Sequence, residues 1–143
     1  MPTRTNNARK AYIRHLRNLP KDLECEFCAI DSSYAQFLSD TKSFKIIKNL
    51  FPYSSWDYTK TADHILVLPK RHIDRLAYLQ ASEMVEYMDL IGSYENQGYN
   101  VYARAPQSGN KSVHHQHTHL IKPIGKIHKF MFYLERPYIR IFR

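Results

Sequence analysis

Glycine is scarce in this chain, four residues in 143, and proline contributes only seven. That excludes a linker-rich or repetitive polypeptide, and no internal repeat is found. Long apolar runs are also missing: none approaches the roughly 20 residues that span a bilayer. The first 21 residues hold Arg4, Arg9, Lys10, Arg14, Arg17 and Lys21 and no acid, but no apolar stretch follows them. A secretory signal is therefore not expected, and a cytoplasmic location without membrane association is the default. Acidic residues are the minority, 13 against 21 Lys and Arg, for a net charge of +8. A second cluster of that charge, Lys122, Lys126, Lys129, Arg136, Arg140 and Arg143, lies at the C-terminal end. Such a balance favours anionic partners such as nucleotides or nucleic acid, and is equally compatible with a solvated basic surface. The chain has the size of one domain. Its 43% hydrophobic content excludes disorder and predicts a packed core.

Periodicity organises this length. Tyr12, Leu16 and Leu19 fall at helical spacing within Ala8 to Leu19, and Pro20 closes the segment. Ser43 to Asn49 reads as a strand, and Ile65 to Leu68, ended by Pro69, as a buried one. Ser82 reads as the cap of a helix whose stripe is Met84, Tyr87, Met88, Ile91 and Tyr94, with Gly98 as the stop. Tyr99 to Ala103 and Val113 to Ile121 read as strands, separated by the polar turn Arg104 to Lys111. Phe130 to Leu134 and Tyr138 to Phe142 are apolar-aromatic, with Pro137 between them. The sum is an α+β domain with an antiparallel sheet, one main helix and a short N-terminal helix.

Three constellations carry chemistry. His115, His117 and His119 alternate through the segment read as a strand, so their rings share one face at about 7 Å spacing. Histidine is the side chain best suited to act near neutral pH as ligand, nucleophile or proton donor. The two cysteines form Cys25-Glu26-Phe27-Cys28, which is half of a zinc site, a redox pair or a coincidence. The third is His64-Ile65-Leu66-Val67-Leu68-Pro69-Lys70-Arg71-His72; taken alone, His72 reads as a surface or hydrogen-bonded histidine rather than a ligand.

Together these segments resemble the histidine-triad (HIT) family. His115-Gln116-His117-Thr118-His119-Leu120-Ile121 resembles its signature. The run His64 to His72 resembles its strand and Pro-Lys-x-His corner, and Cys25 to Ile30 resembles its Cys-x-Phe-Cys-x-Ile. The order and separations are similar across about residues 23–121. The resemblance implies a five-stranded antiparallel HIT-like sheet in 23–143, preceded by a basic extension in 1–22. It implies a homodimeric hydrolase or transferase acting at the α-phosphate of a purine nucleotide: a phosphoramidate, a dinucleoside polyphosphate or an adenylated end. It implies a closed, structural zinc site made of Cys25, Cys28, His72 and His115, and no catalytic metal. His117 would be the nucleophile, forming a nucleotidyl-histidine. His119 would hold phosphate oxygens or protonate the leaving group, and Ser112 would bind phosphate.

The chain departs from the family pattern in places. Asn110-Lys111-Ser112 stands where relatives have Gly-Gln-Ser, so Lys111 is either a phosphate contact or a solvated loop lysine. Arg104 replaces an Asn that contacts phosphate, and Asn49 replaces the acid that binds ribose. The aromatics Phe51, Tyr53, Trp56 and Tyr58 either cover a base or serve as core and dimer contacts. The spacers Gln116 and Thr118 are polar where relatives are apolar, which predicts a less buried face. His114 is expected exposed or structural, and His64 is expected to hydrogen-bond within its junction. The rival to an enzyme is a zinc-stapled basic module that binds nucleotide or nucleic acid without turnover.

Overall fold

The structure is a computed structural model, and the residues it describes are 4–109, 111–126, 131–135 and 138–142. Its elements are helix α1 (Asn6–Asn18), the single turn α2 (Glu26–Ala29), strands β1 (Phe37–Asp40), β2 (Phe44–Lys48), β3 (Ser55–Trp56) and β4 (Thr59–Pro69), helix α3 (Ala81–Glu95), and strands β5 (Asn100–Ala103), β6 (Thr118–Ile124), β7 (Met131–Glu135) and β8 (Tyr138–Phe142). The antiparallel sheet runs β1-β2-β4-β6-β5, with two-residue β3 pairing β4 off that path. It therefore has the expected five strands and a short sixth. Strands β7 and β8 pair with each other in a separate ladder. Asn110, Lys129, Phe130, Arg136, Pro137 and Arg143, which entered the sequence reading, lie outside the described residues.

Strand β4 is the axis, with β2 on one side and β6 on the other. Its residues 64–69 are all buried, because the sheet is covered on both faces. Ile65 and Val67 point to one core with Phe44, Ile46, Leu120 and Ile91 of α3. Leu66 and Leu68 point to the other, with Ile47, Phe27 of α2 and Ile30. That is why the strand reads as a continuous apolar run rather than an alternating one. Each such side chain contributes about 1.5–3 kcal/mol on burial.

Helix α3 begins two residues earlier than Ser82 as its cap would place it. Gln80 caps it through a reciprocal pair with Glu83, whose carboxylate accepts the Gln80 N–H at 2.7 Å. Gly98, at φ +84°, turns the chain from α3 into β5, a conformation glycine adopts without a Cβ clash. Among the described residues no helix is long and apolar enough to cross a membrane.

Candidate active site and metal cluster

The histidine row straddles a boundary. Residues 113–117 do not join the sheet, and β6 starts only at Thr118. The strand expected from Val113 is thus shorter at its front. The cause is local: Gln116 N–H donates to Ile73 O at 2.6 Å, and the carbonyl of His115 is taken by a side chain, so these groups are not free for a ladder. The three rings nevertheless follow one another along one side. Phe27 presents an edge contact to both His115, at 6.1 Å, and His117, at 5.1 Å. His119 lies 5.0 Å beyond His117.

At one end of the row, His115 Nε2–H donates to Pro69 O at 2.9 Å. That fixes its tautomer and leaves Nδ1 bare, 3.4 Å from the sulfur of Cys25 and 3.4 Å from that of Cys28. His72 Nδ1 lies 3.3 Å from Cys28 Sγ. The four donor atoms of Cys25, Cys28, His72 and His115 all lie within 4.8 Å of one another, a fit for one small cation. The single turn α2 brings the two cysteines together. Lys45 Nζ holds that turn by donating to Cys28 O at 3.1 Å and Ile30 O at 2.5 Å. Burial, and Cys25 beside it, push the Cys28 thiol up to about 11. A bound cation would displace both thiol protons.

At the other end, His117 Nδ1–H donates to His115 O at 2.8 Å, leaving Nε2 with a free lone pair. Burial, the dominant cause, and the nearby charges of Lys111 and Arg104 hold its pKa down to about 4. The ring is therefore neutral near pH 7. His119 is set by a relay. Tyr53 N–H donates to His64 Nδ1 at 3.1 Å, so the His64 proton is on Nε2, 2.9 Å from His119 Nδ1. His119 accepts there and keeps its own proton on Nε2. Burial holds His64 down to about 3 and His119 well below its ordinary value. His64 does hydrogen-bond at its junction, but its partner across the sheet is a triad histidine. The register contains the signal: Leu66 pairs His119, so His64, two residues away, shares its face as a diagonal neighbour.

His117 and His119 open into a pocket that Asn49, Ser112, Phe27, Phe51 and Leu66 also line. Asn49 accepts from Phe51 N–H at 2.9 Å, and its amide nitrogen rests 3.1 Å from His64 Nε2. Ser112 is exposed on its loop and bonded to the hydroxyl of Tyr12 of α1. The other two residues singled out lie outside this lining. Arg104 donates to Tyr53 OH at 3.2 Å, its guanidinium over the Tyr102 ring. Lys111 Nζ donates to Asp74 O at 2.7 Å and Gln116 Oε1 at 3.0 Å.

The polar spacers correct an expectation. Gln116 and Thr118 are each 1% exposed, not on an open face. Thr118 is within 2.9 Å of the Tyr87 hydroxyl, and Gln116 is held by Lys111, so both are satisfied where they are buried. Of the aromatics, Tyr53 is buried against His64 and His119, and Trp56 packs between Tyr53 and Tyr102. Only Phe51 lines the pocket. His114 is exposed, as expected.

The sequence profile of the HIT domain matches residues 31–124. The chain belongs to the HIT family. An uncharacterized HIT-like protein of Chlamydia trachomatis is 30% identical over 91 residues, 57% of this chain and 75% of that protein. In structure, this HIT protein is similar to a HIT family hydrolase from Clostridium thermocellum, with TM-score 0.55 and 20% identity over 71% of this chain and 91% of that one. It is also similar to a histidine triad protein from Clostridium difficile, with TM-score 0.53 and 22% identity over 78% and 100%. These two likenesses establish the α+β antiparallel fold. The two cysteines and all of α1 precede the segment that the HIT profile matches.

Proposed function

We propose that this HIT protein is a nucleotide hydrolase or nucleotidyl transferase that opens a bond at the α-phosphate of a purine nucleotide through a covalent nucleotidyl-histidine on His117. The observation that carries the reading is the tautomer of His117. A neutral ring, pinned through Nδ1–H to His115 O, turns a bare Nε2 into a pocket shared with a second histidine of opposite role. In the first step the Nε2 lone pair forms an N–P bond as the bond to the leaving group breaks. In the second, water or another acceptor displaces His117 and frees the nucleotide. His119 is neutral and keeps its proton on Nε2. It serves as a hydrogen-bond donor to phosphate oxygens rather than as a strong acid. Ser112 and Asn49 are assigned to phosphate and ribose, and the charges of Arg104 and Lys111 offset the phosphate from just outside the pocket.

Zinc is the metal assigned to Cys25, Cys28, His72 and His115. Zn–S bonds of about 2.3 Å and Zn–N bonds of about 2.0–2.1 Å at tetrahedral angles require S···N edges of about 3.6 Å. The contacts of 3.3–3.4 Å lie close to that. Four protein donors leave no position for water, so the role is structural. The reading includes a homodimer, for which α3 exposes Met84, Val85 and Met88, and extends to adenylated nucleic-acid ends as substrates for a basic chain in the cytoplasm.

The test is intact-protein mass spectrometry after mixing with an adenosine phosphoramidate. The expected result is gain of one adenylyl group by the wild type and none by His117→Ala. An adduct on both proteins assigns the wrong nucleophile. No adduct on the wild type, with substrate intact, points to a binding module instead.

A further inference from the structure

The triad pocket has a roof that the HIT segment does not supply. Arg4, Tyr12 and His15 line it together with His117 and His119, and all three precede the matched residues 31–124. The roof is anchored at several points. Thr5 caps α1 and donates its own N–H to Ser54 Oγ at 3.0 Å. His15 Nε2 meets Glu26 Oε1 at 2.6 Å, joining α1 to the turn that holds the cysteines. Phe51 packs between α1 and the pocket, 5.3 Å from the Tyr12 ring and 5.0 Å from the His15 ring.

Two polar groups of this roof face the chemistry. The Tyr12 hydroxyl is bonded to Ser112 Oγ. Arg4 donates from Nε to Phe51 O at 2.9 Å, and its guanidinium lies over the rings of Tyr12 and Tyr53, 4.6 and 4.8 Å from their centroids. Among the described residues no other hydrogen bond and no carboxylate engages that guanidinium, so its terminal amino groups remain available. Another cation, Arg104, adds its repulsion to the burial that lowers the Arg4 pKa. Folding has thus part-buried a cation against ring faces, beside His64 and His119, which both feel its charge. Cation–π contacts return only about 0.5–2 kcal/mol. An anion in the pocket would supply the missing counter-charge, and a free guanidinium fork suits phosphate oxygens.

We infer that the N-terminal segment completes the phosphate subsite of this pocket, with Arg4 as a phosphate-binding residue and Tyr12 as the residue that positions the Ser112 hydroxyl. The inference rests on the proposal that the pocket takes a nucleotide. It adds a ligand-reading element from outside the family segment, and it gives the basic N-terminus a specific task.

Calorimetric titration of the full chain with adenosine and with AMP tests it, since the two ligands differ only in the phosphate. Arg4→Gln is expected to weaken AMP at least tenfold while adenosine changes less than twofold, and Arg4→Lys to recover part of the loss. Tyr12→Phe is expected to weaken AMP about threefold, again with adenosine spared. Equal losses for both ligands would make the segment a roof only, and unchanged AMP affinity in Arg4→Gln would remove Arg4 from the subsite. Tighter AMP binding in that variant would make the segment a plug, and likewise overturn the inference. Adenosine affinity doubles as the folding control. Absence of the His117 adduct would sink the catalytic reading and leave these binding results standing, whereas a wild type that binds neither ligand would overturn both.

Discussion

His115 and His117 are two residues apart, both buried and both bonded to a backbone carbonyl, yet they use opposite nitrogens. His115 gives Nε2–H to Pro69 and leaves Nδ1 toward two sulfurs; His117 gives Nδ1–H to His115 and leaves Nε2 toward the pocket. The chemistry of a buried histidine is thus decided by the carbonyl that takes its proton. Burial is the main cause that holds both rings down to about 4, and it does not tell them apart.

The sharpest way to break the pair is to remove each ring in turn. His117→Ala should lower turnover by roughly 10³-fold or more, the scale of losing a nucleophile, while metal content by plasma mass spectrometry stays at the wild-type ratio. His115→Ala should do the reverse first. It should abolish stoichiometric metal and lower unfolding free energy in denaturant by about 4 kcal/mol, as loss of a metal site does. A His115→Ala protein with full metal content would end the distinction between the two rings.

A smaller effect comes through pH. His64 is neutral when folded, with its pKa held at about 3 against an ordinary 6.5. The unfolded chain binds that proton first. The stability His64 contributes is therefore whole above pH 6.5 and is lost progressively as pH falls toward 3, at up to about 1.4 kcal/mol per unit. Thermal melts between pH 7 and 4 should show this loss together with that of His115, His117 and His119, and His64→Gln should make the slope shallower. An unchanged slope in that variant would mean that other groups control acid unfolding.

The smallest effect is expected at Lys111. Its bonds to Asp74 O and Gln116 describe a tether, so Lys111→Met should cost about 1 kcal/mol of stability and change KM less than threefold. A tenfold rise in KM would instead make Lys111 a substrate contact.

The elements legible in the sequence were those with a long period. α1, α3 and β2 follow from their residue pattern, and the apolar part of β4 from a continuous run that is buried on both faces. β1, β3 and α2 are four residues or fewer, too short for any period to appear. The Cys and His cluster was legible because family resemblance named all four donors before the fold brought them together. The partner of His119 was not, since His64 reaches it only through the β4–β6 register. Nor was the roof: Arg4 and Tyr12 are 49 and 41 residues from Tyr53, and nothing local in a basic helix says which pocket it will cover.

Strand β4 serves both centres from one rigid stride: its Pro69 carbonyl orients His115, and its His64 orients His119. Successive residues of a strand face opposite ways. A single residue inserted or deleted between positions 64 and 69 would leave one of these two partners in place and turn the other away. Over evolutionary time this segment is therefore free to exchange one apolar side chain for another and closed to any change of length.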